Sequence, residues 1–145
     1  MTNSHYYEVN LKWDALTMGT LSSPVIKSKI EVATTPEFTK GIKEKWTPEH
    51  LFVAAVNSCL MSTFLLVAEN SKFKFISFDS NAIGKIEKLE GKFVVKEVVL
   101  KPTLVIPTAQ SEIKAKRLLA MSEKACAIAN SVTTKITSEP IITFK

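Results

Sequence analysis

Residues 47–70 read TPEHLFVAAVNSCLMSTFLLVAEN, and this stretch decides how the rest of the chain is read. Thr47 is a suitable N-cap, and Pro48 suits the first helical position, where a missing N–H costs nothing. Glu49 sets a carboxylate beside the positive end of the helix dipole. From Leu51 to Ala68 the segment is apolar nearly all round, with no charge until Glu69. A helix of that composition is expected to be buried on most sides. A membrane span needs roughly 20 predominantly apolar residues, and this run falls just short. It also carries Asn57, Ser58, Ser62 and Thr63 near its middle and lacks the basic flank that anchors a span. A central core helix is the expectation, with Cys59 at its middle.

Ahead of the helix, Tyr6 to Trp13 alternates, with Tyr7, Val9, Leu11 and Trp13 on one side. That pattern predicts a half-buried strand. Asp14 suggests a turn, and Leu16 to Leu21 a returning strand with Gly19 as a bulge. Ser22-Ser23-Pro24 breaks the chain before a third strand, in which Ile26, Ile30 and Val32 alternate with Lys27, Lys29 and Glu31. Residues 34–46 have no period and read as a loop. Its Lys40, Lys43 and Lys45 lie close to the helix start.

Behind the helix, Lys72 to Leu89 and Lys92 to Ile106 predict two long strands joined by a hairpin turn at Glu90-Gly91. A bulge is expected near Phe75-Ile76, and Pro102 suits an edge strand. A second helix is predicted from about Gln110 to Ala129, ended by Asn130-Ser131. Val132 to Thr137 and Ile141 to Phe144 then form a final strand broken by Pro140. The order describes a single α+β domain over residues 1–145, with curled antiparallel sheets wrapped around a central buried helix.

Composition narrows the function classes. The formal charge of +5 comes from eighteen lysines and one arginine, Arg117. The lysines are scattered and alternate with apolar residues, as on solvent faces of strands. Nucleic-acid readers cluster arginine beside a recognition helix or aromatics, so no nucleic-acid partner is expected, and no membrane. The opening MTNSHYYEVN has no basic region followed by an apolar one, and a cytoplasmic location is expected. There is no C-x-x-C, and His5 and His50 are the only histidines, so zinc spacings are absent. With no Gly-rich phosphate loop and no Ser/His/Asp set either, neither a metal nor another cofactor is expected.

The only cysteines are Cys59 and Cys126. Free cysteine is often a small buried hydrophobe, and that reading stands for both. A reactive thiol instead needs access and a lowered pKa. Cys59 sits mid-helix, so its own dipole helps little, and another part of the fold or a partner chain would have to activate it. Cys126, late in the second helix among Ala125, Ala127 and Ala129, has neighbours small enough to let another helix approach. The two could act as an attacking and a resolving thiol if their Cα atoms come within about 7 Å. Glu49 is the third candidate. Ten residues of helical rise put it about 15 Å from Cys59 along the axis. A catalytic role for it therefore implies a second subunit, with two central helices packed antiparallel. His50 and Arg117 are each nine residues from a cysteine and too distant to serve as its base.

The segment T-P-E-H-L-F-V-A-A-V-N-S-C-L closely resembles the motif around the reactive cysteine in the OsmC/Ohr family of peroxide-reducing proteins. There a Pro-Glu-x-Leu start leads through small residues to a Cys. The later E-K-A-C-A-I-A-N-S is similar to that family's second cysteine segment, and the element order matches over nearly the whole chain. The resemblance implies an intertwined homodimer with a wrapped sheet and two central helices. It implies that Cys59 is the peroxidatic thiol, Cys126 the resolving thiol and Glu49 the acidic residue of the activating network. The implied substrate is an organic hydroperoxide and the implied reductant a dithiol, often lipoyl-linked. One departure stands out. The family's best-studied branches pair the Glu with an Arg, and no Arg precedes Arg117 here. A lysine at 40, 43 or 45 is the available stand-in, a point charge without the planar fork that grips a carboxylate. The alternative function on the same fold is a non-enzymatic binding module for an apolar ligand, with both thiols merely core residues.

Overall fold

The computed structural model describes residues 3–38 and 40–145. Outside them fall Thr39, within the expected loop, and residues 1–2 of the stretch read as carrying no secretory leader. The chain forms two compact units, Met1–Leu51 and Phe52–Lys145.

The first unit is an antiparallel meander of β1 (Asn10–Ala15), β2 (Met18–Ser23) and β3 (Ile26–Ala33). The turn between β1 and β2 carries Leu16 at φ 53, a left-handed conformation. It is held by the Trp13 indole N–H, which donates to the Leu16 carbonyl at 2.9 Å. Gly19 is a site of close approach, with no bulge there. A Cβ at this position would meet the Lys12 carbonyl oxygen at 2.9 Å, and the register shifts fall elsewhere, between Trp13 and Ala15 and between Leu21 and Ser23. The first strand departs from expectation more strongly. It begins at Asn10, leaving Tyr6 to Val9 outside, and all six of its residues are exposed. Alternation of apolar residues reports that one face is meant to be covered; within this chain it is bare.

The loop after β3 folds back on the sheet. Ala33 N–H donates to the Trp46 carbonyl at 2.8 Å, and Ile42 N–H to the Thr34 carbonyl at 3.0 Å. Gly41 permits this, because any Cβ there would overlap the Thr35 carbonyl oxygen at 1.9 Å. Thr47 is thereby delivered, almost fully buried, to the start of α1 (Pro48–Asn70). Its hydroxyl oxygen accepts the His50 N–H at 3.1 Å and pairs with His50 Nδ1 at 2.8 Å, an N-cap of the kind that stabilises a helix by about 1 kcal/mol.

In the second unit, α1 lies on a sheet of β4 (Ser77–Leu89), β5 (Lys92–Ile106), β6 (Lys135–Ser138) and β7 (Ile141–Phe144). Val56, Leu60, Phe64 and Ala68 are its buried residues, one stripe at four-residue spacing. Val56 and Leu60 pack with Val98 and Leu100 of β5. Phe64 and Ala68 join Leu104 and Ile106 of β5, with Ala115, Leu118 and Leu119 of α2 (Glu112–Ala125). Burying such side chains contributes about 1.5–3 kcal/mol each. Gly84 on β4 lets the helix come close, since a Cβ there would sit 2.5 Å from Val53 Cγ2. The helix ends in a left-handed Lys72, with Phe73 N–H donating to the Ala68 carbonyl and Lys72 N–H to the Glu69 carbonyl. That is a Schellman stop, and its hydrophobic contact is the buried Phe73 against Ala68.

Six expectations are corrected in this unit. Burial of α1 on most sides does not occur within the chain: Met61, Leu65 and Leu66 on its other faces are 42, 42 and 58% exposed. At 23 residues the helix is also long and apolar enough to cross a membrane, so its length does not argue against a span. The bulge in the β4–β5 hairpin lies between Lys85 and Ile86, and β4 starts at Ser77, five residues after the expected Lys72. The sheet is mixed, because β6 and β7 both run parallel to β5. This makes β5 a central strand in spite of Pro102. Strand β6 pairs with residues 97–100 and β7 with 103–106, so Pro102 falls in the gap between them, where its missing N–H breaks no ladder bond.

Candidate active site

Cys59 lies on α1 beside the buried Leu60 and is half-buried. One turn onward, Thr63 presents its hydroxyl 3.9 Å from the Cys59 sulfur, as a four-residue helical step requires. Among the described residues of α1, Thr63 is the one whose side chain bonds to the sulfur. The remaining partners come from the end of α2.

That helix starts at Ser111, whose hydroxyl accepts the Lys114 N–H at 3.2 Å. It stops four residues short of the expected Ala129. Cys126 is therefore not a helical residue but the C-cap, extended at φ −68 and ψ 111. The chain then curls into a single 3-10 turn, Ala129–Ser131. Leaving the helix frees the N–H groups of residues 127–129 from the four-residue ladder, and they turn toward the two sulfurs. The Cys126 thiol and the main-chain N–H groups of Ile128 and Ala127 act on Cys59 as donors that favour its thiolate. Cys126 is 2% exposed and is approached by the Ala129 and Ile128 N–H groups.

The two thiols are pushed apart in acidity. For Cys59 burial is the largest single influence and acts upward. The bonds from the Cys126 thiol, the Ile128 N–H, the Thr63 hydroxyl and the Ala127 N–H together outweigh it and hold the thiol below its ordinary pKa. Each of these four is a hydrogen-bond donor and none carries a positive charge. For Cys126 burial comes first and raises the pKa. Its bond to Cys59 and the charge there add to the rise, against a smaller downward pull from the Ala129 and Ile128 N–H groups. Such a pairing offers one thiolate for attack beside one thiol that keeps its proton.

The structure thus brings Cys59 and Cys126 together. Glu49 stands in the first unit, on the first turn of α1, ten residues before Cys59. Its Oε1 is buried and has no hydrogen-bond partner among the described residues. Among the described residues no lysine pairs with Glu49. Lys45 instead pairs with Glu31 at 3.5 Å, and Lys40 and Lys43 are exposed. His50 is taken up by Thr47.

The sequence marks Thr63 only as one of the polar residues of the helix and Asn130-Ser131 only as a helix end, without a role at the thiols for either. Thr63 was legible as the residue one helical turn after a cysteine. The role of the turn was not, because main-chain N–H groups leave no mark on residue identity.

A family model described as OsmC-like protein matches residues 40–140. The sequence matches none of the curated proteins. Among solved structures, an OsmC-like protein of unknown function from Vibrio cholerae is similar at 26% identity and a TM-score of 0.85, covering 95% of this chain and 100% of that one. An organic hydroperoxide resistance protein from Elizabethkingia anophelis is similar at 21% identity and a TM-score of 0.77, over 100% of both chains. One from Bacillus subtilis has 16% identity and a TM-score of 0.70, covering 95% of this chain and 98% of that one. With its cysteine pair set in that fold and the family match extending over most of its length, the chain belongs to the OsmC-like proteins.

Proposed function

We propose that this protein is a two-cysteine thiol peroxidase that reduces organic hydroperoxides to alcohols. What carries this reading is the mutual influence of Cys126 and Cys59, which holds the Cys59 thiol below its ordinary pKa while Cys126 is raised. Membership of a family with relatives named organic hydroperoxide resistance proteins supports the choice of substrate.

In the first step the Cys59 thiolate attacks one oxygen of the hydroperoxide. The O–O bond breaks, the alkoxide leaves and takes up a proton to become the alcohol, and Cys59 is left as a sulfenic acid. The two electrons gained by the O–O bond come from the sulfur. In the second step the Cys126 sulfur attacks the sulfenic sulfur. The S–O bond breaks, and hydroxide leaves with the Cys126 proton as water, closing an intramolecular disulfide. A dithiol donor, lipoyl-linked in this reading, attacks the disulfide, becomes oxidised itself and returns both thiols. That cycle suits the reducing cytoplasm, with neither nucleic acid nor membrane as a partner.

The working unit in this reading is an intertwined homodimer. The exposed Met61, Leu65 and Leu66 on α1 and the bare β1 are apolar surfaces that a second copy would cover. The buried, unpartnered Glu49 Oε1 calls for a donor, and an antiparallel partner helix would carry Glu49 toward the other chain's Cys59.

A second reading has one observation in its favour. The first unit bears an open hollow of about 310 Å³ lined mainly by apolar residues, Leu11, Trp13, Met18 and Val32 among them, of a size for a small apolar ligand. Cumene hydroperoxide consumption with dihydrolipoamide separates the two. Wild type turns over, and Cys59→Ser loses on the order of a hundredfold or more. Equal rates in both proteins would rule out the peroxidase and leave the binding module.

A further inference from the structure

We infer that Ser131, with Asn130 beside it, is a positioning residue for Cys59, fixing the peptide planes whose N–H groups face that thiol. This rests on the reading of Cys59 as the attacking thiol.

The argument is one of peptide geometry. In a trans peptide the carbonyl of one residue and the N–H of the next belong to one plane and point in opposite directions. Holding the carbonyl therefore aims the N–H. Ser131 Oγ donates to the Ala127 carbonyl at 2.7 Å. The N–H at the other side of that same plane is that of Ile128, one of the donors that lower the Cys59 pKa. The neighbouring plane is held in the same way. The Asn130 main-chain N–H donates to the Cys126 carbonyl at 3.0 Å, and the N–H opposite is that of Ala127, which adds a smaller downward pull on the Cys59 pKa. The Asn130 side chain then ties this turn to the end of α2, donating through Nδ2 to the Lys124 carbonyl at 3.0 Å. Two chains of hydrogen bonds thus converge on one sulfur, each polarised through a peptide unit. Neither Ser131 nor Asn130 touches the sulfur. Among the donors described at Cys59 there is no cation, and these two planes supply the main-chain share of what offsets burial, beside the Cys126 thiol and the Thr63 hydroxyl.

The test uses the fully reduced, full-length protein and the near-isosteric pair Ser131→Thr and Ser131→Val, which differ in the hydroxyl. Modification of Cys59 by iodoacetamide is followed by mass spectrometry across pH. Ser131→Thr keeps the wild-type profile. Ser131→Val displaces it to higher pH, so that modification at neutral pH slows about three- to tenfold, and the rates converge once the thiol is fully ionised. Asn130→Ala shifts the profile in the same direction. A hydroxyl that merely stabilised the fold would lower the unfolding temperature of Ser131→Val and leave its profile in place, and that result overturns the inference. Alkylation needs no peroxide, so the two readings fail separately. A shifted profile without hydroperoxide turnover in wild type sinks the peroxidase and keeps the cradle; turnover with coincident profiles does the reverse.

Discussion

The centre of α1 and the turn after α2 each contribute one cysteine, and the two regions handle a thiol in opposite ways. At the centre of α1 the backbone is saturated by its own helix, so Cys59 gains only Thr63 from its own element. After α2 the helix has just ended, and unsatisfied N–H groups are available at residues 127–129. The helix supplies a rigid, half-exposed platform without electrostatic help. The turn supplies the electrostatics and buries its own thiol in doing so. Neither region makes a reactive centre alone. The opposite shifts in acidity of two identical side chains thus follow from where each stands relative to its helix end.

The largest way to break this comparison is to ask which chain supplies Glu49. Glu49→Gln and Cys59→Ser are each expected to lower hydroperoxide turnover sharply as separate proteins. Co-refolded in equal amounts, half the dimers would be mixed, and one of the two sites in each mixed dimer would have both residues intact. Turnover should then recover to about a quarter of the wild-type rate if the site is shared between copies. No recovery would place Glu49 outside the site or in the same chain's site.

A smaller effect sharpens the contrast between the thiols. Lowering of Cys59 and raising of Cys126 mean that Cys59 is labelled first at neutral pH, with the gap narrowing as the pH rises through the ordinary thiol range. The same shifts act on stability with opposite signs. The Cys59 contribution is present above the free thiol's pKa and lost as pH falls through the folded value. The Cys126 contribution is present below the free thiol's pKa and lost as pH rises through its folded value. Reversal of the labelling order would exchange their roles. Smallest of all, Thr63→Val removes one weak, long hydrogen bond and should slow Cys59 labelling at neutral pH by about two- to threefold. An unchanged rate would leave the turn as the sole support.

How much of this could be read from residues follows the same division. The start of α1 was legible because Thr47 and Pro48 decide it among themselves, and the turn at Glu90-Gly91 because Gly91 takes positive φ freely. The Glu49 question was legible from helical rise alone. The end of α2 was not, because Ala125, Ala127 and Ala129 all favour continuing the helix and no glycine stops it. What ends it is the capture of carbonyls by Asn130 and Ser131, together with burial of Cys126. Pro102 misled for a related reason. A proline signals a missing ladder bond, and only the placement of β6 and β7 shows that the gap lies between two short strands, so that β5 need not be an edge. The alternation in β1 pointed to a covered face that a single chain does not supply.

The central claim, that Cys59 and Cys126 form one reaction centre, is tested most directly by adding one equivalent of cumene hydroperoxide to the fully reduced protein. Non-reducing mass spectrometry then reads the product. The account predicts loss of two hydrogens, a Cys59–Cys126 disulfide within one chain, and complete reversal by dihydrolipoamide. Two free thiols after exposure, or oxygen retained on Cys59 while Cys126 stays reduced, would contradict it.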